Sequence, residues 1–159
     1  MDLIVAKATE LGVARIVPLE GERSVRRASG REPRWTRVAR ESAEQCGRRD
    51  VPELVPLSSV GEFLRGHPPG MPLLVCEAGE GDRPLPDVCR DLGDAASLGL
   101  LVGGEGGLSP GEIERLRSRH AILVSLGPRL LRADTAALAA LAVLQALLGD
   151  WGSKFRSPA

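Results

Sequence analysis

The sequence predicts an α/β domain whose parallel sheet is covered by helices on both faces. Three observations carry this. Pro72–Cys76, Ser97–Val102 and Ala121–Leu126 are short, unbroken apolar runs, the pattern of strands buried on both sides rather than the alternation of a half-exposed sheet. Segments of helical spacing, 86–92, 109–117 and 134–148, alternate with them, and alternation of strand and helix is the signature of α/β layering. Two glycine-bearing turns then lead from the last two strands into the last two helices.

In chain order, Ile4, Val5, Ala8 and Leu11 fall at helical spacing and Gly12 ends the run, as a C-terminal cap does. Residues 14–19 read as a strand and Gly21 to Pro33 as a polar, arginine-rich loop. Trp35 to Gly47 reads as a helix with Trp35, Val38, Ala39 and Ser42 on one side. A strand at 54–57 and a short helix at 60–64 precede the first apolar run. Ser109-Pro110-Gly111-Glu112 is a capping box with proline at the first helical position. The last helix, from Asp134 to Leu148, has only Gln145 as a polar residue between Ala136 and Leu148. A helix apolar all round requires cover on every side, which a small domain has trouble supplying alone, so a homodimer is expected.

With 159 residues, 43% of them hydrophobic and 26% charged, the chain is expected to form one folded domain, 1–159. No apolar run approaches the roughly 18 residues of a membrane span, and the N-terminus lacks the pattern of a signal peptide. Cys46, Cys76 and Cys89 form no CxxC pair, and neither His67 nor His120 lies near a cysteine. These features predict a cytoplasmic protein without structural metal. Net charge is zero, which speaks against a free-standing nucleic-acid binder. Yet Arg23, Arg26, Arg27, Arg31, Arg34, Arg37, Arg40, Arg48 and Arg49 cluster in one stretch. That stretch is either a solvated surface or a phosphate-contacting patch.

The two turns are where chemistry is expected. Gly103-Gly104-Glu105-Gly106-Gly107 runs into the Ser109 capping box, and Leu126-Gly127-Pro128-Arg129 runs into the last helix. Glycine lets backbone approach a ligand, and helix starts offer free N–H groups; the plain alternative is that these glycines only make tight turns. The dinucleotide fingerprint fails: Ser109 stands where the third glycine belongs, and no acid ends the next strand. No Gly-Lys-Ser/Thr phosphate loop and no G-x-S-x-G elbow is present, and His67 and His120 read as surface residues.

Four segments carry a resemblance. Lys7-Ala8-Thr9-Glu10-Leu11-Gly12-Val13, Glu44-Gln45-Cys46-Gly47-Arg48, Gly103-Gly104-Glu105-Gly106-Gly107 and Leu126 to Ala136 resemble, in order and spacing, the motifs of the small-subunit ribosomal RNA uridine-N3 methyltransferases, the RsmE family. Gly104, Ala133 and Asp134 depart from the family's usual proline, threonine or valine, and glutamate. The resemblance implies a SPOUT-type parallel sheet with a C-terminal trefoil knot, a homodimer, and S-adenosyl-L-methionine as cofactor. It also implies that the family's N-terminal PUA-like barrel domain, which helps hold RNA, lies outside this sequence. From the first turn it implies Leu101, Gly103, Gly104, Glu105 and Gly106 as cofactor-binding residues. From the second it implies Leu126, Gly127, Leu130, Leu131, Arg132, Thr135 and Ala136.

The implied substrate is small-subunit (16S) ribosomal RNA. Uracil N3 is mostly protonated at neutral pH, so a site must stabilise the uracil anion with a cation near its carbonyl oxygens. Arg48 is the first candidate and Arg132 the second, with Glu105 to orient the cofactor or take a proton. A structural ion pair from Arg132 to Glu105 or Asp134 is the alternative role for Arg132. Two other readings of the chain are a SPOUT enzyme acting on transfer RNA and a non-enzymatic RNA-binding or dimerisation module.

Overall fold

The computed structural model describes residues 1–24, 30–77, 79, 83–93 and 95–151; Arg26 and Arg27 of the arginine cluster lie outside them. The first half comprises α1 (Asp2–Glu10), β1 (Arg15–Ile16), β2 (Leu19–Glu20), α2 (Glu32–Cys46), β3 (Glu53–Leu54), β4 (Ser58–Ser59) and α3 (Val60–Gly66). The second comprises β5 (Leu73–Cys76), β6 (Arg83–Pro84), α4 (Leu85–Leu92), β7 (Gly99–Val102), α5 (Pro110–Ser118), β8 (Ile122–Ser125) and α6 (Ala133–Leu147).

The three apolar runs are β5, β7 and β8 of a four-stranded parallel sheet in the order β6-β8-β5-β7, with β8 and β5 inside and β7 at an edge. Leu73, Val75, Leu101 and Leu123 point to one face and pack with Val60 and Leu64 of α3 and Leu116 of α5. Leu74, Cys76 and Val124 point to the other, against Leu85, Val88 and Cys89 of α4 and Ala140 and Leu144 of α6. Both faces are therefore covered, completely at β5 and in part at β7 and β8, which is why these strands show no polar alternation. A third cluster joins Val5 and Ala8 of α1 to Trp35 and Ala39 of α2; Trp35 is 1% exposed and donates its indole N–H to Asp2 at 3.1 Å.

The expected strand at 14–19 is two strands. β1 pairs with β3 and β2 with β4, both parallel, and the change of partner falls at Pro18, which has no N–H to continue a ladder. Helix α2 starts at Glu32, before the expected Trp35, with Pro33 in its first turn, where a missing N–H costs nothing. The two-residue β6 was not anticipated. It pairs with β8, so the last strand in sequence lies between β5 and β6, which precede it.

Candidate ligand cleft

The registers of the central strands set Val102 and Val124 both opposite Cys76. Three loops therefore leave the sheet at one level: the segment after Cys76, the turn 103–107 and the turn 126–132. Helix α4 covers one face and α5 the other, and such divergence of crossovers opens a crevice beyond the carboxyl ends of the strands. A cleft of about 790 Å³ lies there. Cys76, Val102 and Val124 form its floor, and Ala133 and Ala136 of α6 its small-residue wall. Helix α6 opens without a side-chain cap, so its positive dipole end adjoins the cleft. Burial pushes the Cys76 thiol up to about 11, which keeps the sulfur neutral at the floor.

Of the residues the resemblance implies, Gly103, Gly104 and Glu105 line the cleft from one side. Leu126, Gly127, Leu130, Leu131, Arg132 and Ala136 line it from the other. Leu101, Gly106 and Thr135 do not. The Leu101 side chain belongs to the core on the α5 face. Thr135 is exposed and makes its contacts with its neighbour Asp134.

Gly106 answers to another segment. A Cβ placed on it would collide with the backbone carbonyl oxygen of Arg23, so the arginine-bearing loop packs directly on the glycine turn. That loop is also tied at its root. Ser109, the N-cap of α5, donates to Glu22 at 2.5 Å, and Arg115 donates to the same carboxylate at 2.9 Å. The Ser109 hydroxyl, then the Arg115 guanidinium, hold the Glu22 carboxyl below its usual range. The capping box read from sequence is present, and its Glu112, 1% exposed, accepts from the amides of Ser109 at 2.7 Å and Glu22 at 3.0 Å.

Arg132 reaches Glu105 at 3.8 Å across the cleft mouth, with both side chains at least 80% exposed. An ion pair so open contributes little, so Arg132 is readily redirected to an arriving anion. Arg48 is elsewhere. Its guanidinium donates to the carbonyls of Thr9 (2.7 Å) and Val13 (3.0 Å) and to Asp50 (2.6 Å), joining the end of α1 to the end of α2. It does not line the cleft. Charged hydrogen bonds of this kind contribute about 1.5–3 kcal/mol each. Arg48→Ala is therefore expected to lower the thermal midpoint markedly in a melting experiment, while ligand affinity measured well below the new midpoint stays close to that of the parent. Loss of affinity with an unchanged midpoint would place Arg48 at the site instead.

The resemblance implies that the loop after Cys76 helps hold the cofactor, but sequence reasoning did not single out Glu77 within it. Glu77 lines the cleft beside Gly103 and Gly107, in a polar segment with no periodicity to single it out. Among the described residues, no group of three or more His, Cys, Asp or Glu side chains is placed to hold a metal ion, and no helix is long and apolar enough to cross a membrane.

Fold and cleft together define an α/β domain with an open crevice at the carboxyl ends of its parallel strands. The chain belongs to the RNA methyltransferase domain family, whose model matches residues 1–145. It is 32% identical over 153 residues to the ribosomal RNA small subunit methyltransferase E of Bacillus subtilis, covering 91% of this chain and 60% of the relative. Among solved structures, a putative methyltransferase from Legionella pneumophila in complex with bound cofactor SAM superposes with a TM-score of 0.81 at 32% identity. That match covers 94% of this chain and 62% of the other. Ribosomal RNA small subunit methyltransferase E from Neisseria gonorrhoeae, bound to S-adenosyl methionine, gives 0.80 at 30% identity, covering 92% and 61%. The chain thus spans about three-fifths of the length of these relatives.

Proposed function

We propose that the chain is an S-adenosylmethionine-dependent RNA methyltransferase domain that methylates N3 of a uridine in small-subunit ribosomal RNA. The observation that carries this is the cleft formed where the two glycine turns meet the ends of β5, β7 and β8, in a chain whose similar solved structures hold that cofactor. The residues present fit such a group. The volume lies within the roughly 300–1,000 Å³ of small-molecule sites. The apolar floor suits a purine ring, and no atom lies within 4 Å of a Cβ built on Gly104 or Gly127, so backbone there is open to approach. The carboxylates of Glu77 and Glu105, with Arg132 and the α6 N-terminus, suit a ligand that carries both cationic and anionic groups.

The bound cofactor would supply an electrophilic methyl group. Arg132 would turn from Glu105 to the uracil carbonyl oxygens and stabilise the N3 anion, and Glu105, released, would be placed to accept the N3 proton. The neutral Cys76 thiol competes poorly for the methyl group. Arg23, Arg31, Arg40 and Arg49 are exposed and would meet phosphates, while the exposed Arg34 and Arg37 pair with Asp2 and Glu41. The insertion of β8 between β5 and β6 supports the trefoil knot, since the C-terminal run enters a frame already bounded by earlier strands. The free thiols of Cys46, Cys76 and Cys89 suit the cytoplasm.

A homodimer completes the proposal. Helix α6 buries Ala136, Ala137, Ala140 and Leu144. Leu147 of α6 (48% exposed), Leu3 of α1 (50%) and Trp151 beyond the end of α6 (58%) remain in solvent. Sedimentation is expected to give a dimer at micromolar concentration, and a stable monomer would remove that part. The function is tested by calorimetry with S-adenosylmethionine, then by mass spectrometry of small-subunit RNA after incubation with labelled cofactor. Binding without uridine methylation, or methylation of transfer RNA instead, would overturn the substrate assignment.

A further inference from the structure

The glycines of the 103–107 turn have neighbours in the protein itself. A Cβ on Gly103 would collide with one carboxylate oxygen of Glu77, and a Cβ on Gly107 would come within 2.6 Å of the other. Gly107 also has φ of +67°, a conformation that disfavours any L side chain. The carboxylate therefore bears on both ends of the turn at once. Its origin explains how it gets there. Glu77 follows Cys76, the last residue of β5, and Cys76 lies opposite Val102, the last residue of β7, so the side chain extends across the start of the turn. With Gly106 against the Arg23 carbonyl, the turn is held from two sides, and only Gly104 faces open space.

We infer that Glu77 is a positioning residue: its carboxylate is the form on which the Gly103–Gly107 turn is shaped, and through that turn it sets one wall of the ligand cleft. The inference rests on the cofactor reading above. In this arrangement Gly103 is glycine because Glu77 occupies the space a side chain would need, and the two positions must behave as a coupled pair. Residues in direct contact couple by roughly 2- to 150-fold in the equilibrium they control, whereas independent losses multiply.

The test is a double-variant cycle on the whole chain, read both by calorimetric S-adenosylmethionine affinity and by thermal midpoint. Gly103→Ala is expected to weaken binding, because the methyl group must move the Glu77 carboxylate, the end of a flexible side chain, off the turn. Glu77→Ala alone is expected to weaken it through a loosened turn, and Glu77→Gln, with the same shape, to weaken it less. Adding Glu77→Ala to Gly103→Ala is expected to recover affinity relative to Gly103→Ala alone, since the collision is gone. A double variant no better than Gly103→Ala would overturn the inference, as would Glu77→Gln falling as far as Glu77→Ala. Should the parent chain bind no S-adenosylmethionine, the cofactor reading fails. The midpoints still decide the pairing, by whether Glu77→Ala restores stability to Gly103→Ala.

Discussion

Arg132→Ala is expected to slow methyl transfer about 10²–10³-fold, the usual loss when one preorganised charge-stabilising donor is removed, while cofactor affinity changes little. The reasoning starts from the α6 N-cap. Arg132 ends the second glycine turn at the cleft mouth, and its partner Glu105, 3.8 Å away, lies in the first. Exposed on both sides, that contact holds Arg132 near the site without committing it. Arg48, by contrast, has its guanidinium occupied by two carbonyls and Asp50, and freeing it would unmake the junction of α1 with α2. Single-turnover rates at saturating cofactor separate the two. Arg132→Lys keeps the charge but not the planar fork and is expected to fall between parent and alanine. An Arg132→Ala variant that transfers methyl at the parental rate would return the residue to a structural role.

The second large effect is on stability. Glu112→Ala removes the acceptor of two amides, Ser109 and Glu22, from a position only 1% exposed. The buried Ser109 N–H left without a partner costs about 1–3 kcal/mol, and the Glu22 amide, on an exposed residue, adds less, so about 1–4 kcal/mol is expected in denaturant unfolding. The damage should spread, because the same network ties the root of the arginine-bearing loop to the N-cap of α5. Its pH dependence has a definite sign. The Glu22 carboxyl is held below its usual range by Ser109 and then Arg115, so its contribution is complete above the ordinary glutamate value. It is lost as pH falls through the lowered value. Hydrogen exchange at the Glu22 amide is expected to quicken in acid and not on moving towards neutrality, after correction for the intrinsic exchange rate. An unchanged unfolding midpoint in Glu112→Ala would refute this account of the network.

Much of this architecture was legible in the sequence, for reasons that individual elements make plain. The runs at 73–76, 99–102 and 122–125 are strands on which both faces are buried, a condition written into consecutive apolar residues. The Ser109 box is legible because capping is local: donor and acceptor lie three residues apart. The cleft-lining roles of Gly103 and Gly127 followed from their place between strand and helix. What was hidden is contact between distant segments. Nothing near Gly106 announces the Arg23 carbonyl, and nothing near Gly103 announces Glu77, so the sequence does not tell that these glycines also make room for the chain itself. Arg48 was singled out by its motif, yet its hydrogen-bond partners Thr9 and Val13 lie 39 and 35 residues away. The partners of the strands on either side of Pro18 likewise lie more than thirty residues downstream.

The order of strands has a consequence for how such a chain comes into being. Synthesis proceeds from the N-terminus, so β5, β6 and β7 leave the ribosome before β8 exists. Until residues 122–125 emerge, β5 has one satisfied edge, towards β7, and β6 has no strand beside it. Unpaired edges of apolar strands invite association with other chains, and pairings between distant segments form slowly. The nascent domain therefore waits, with its middle strand half-exposed, for the segment that will fill the slot. The turn after β8 and the start of α6 form part of the cleft wall, so the cleft is completed only once the C-terminal segment has emerged. An early stop in translation leaves a sticky, siteless fragment rather than a weakly active one.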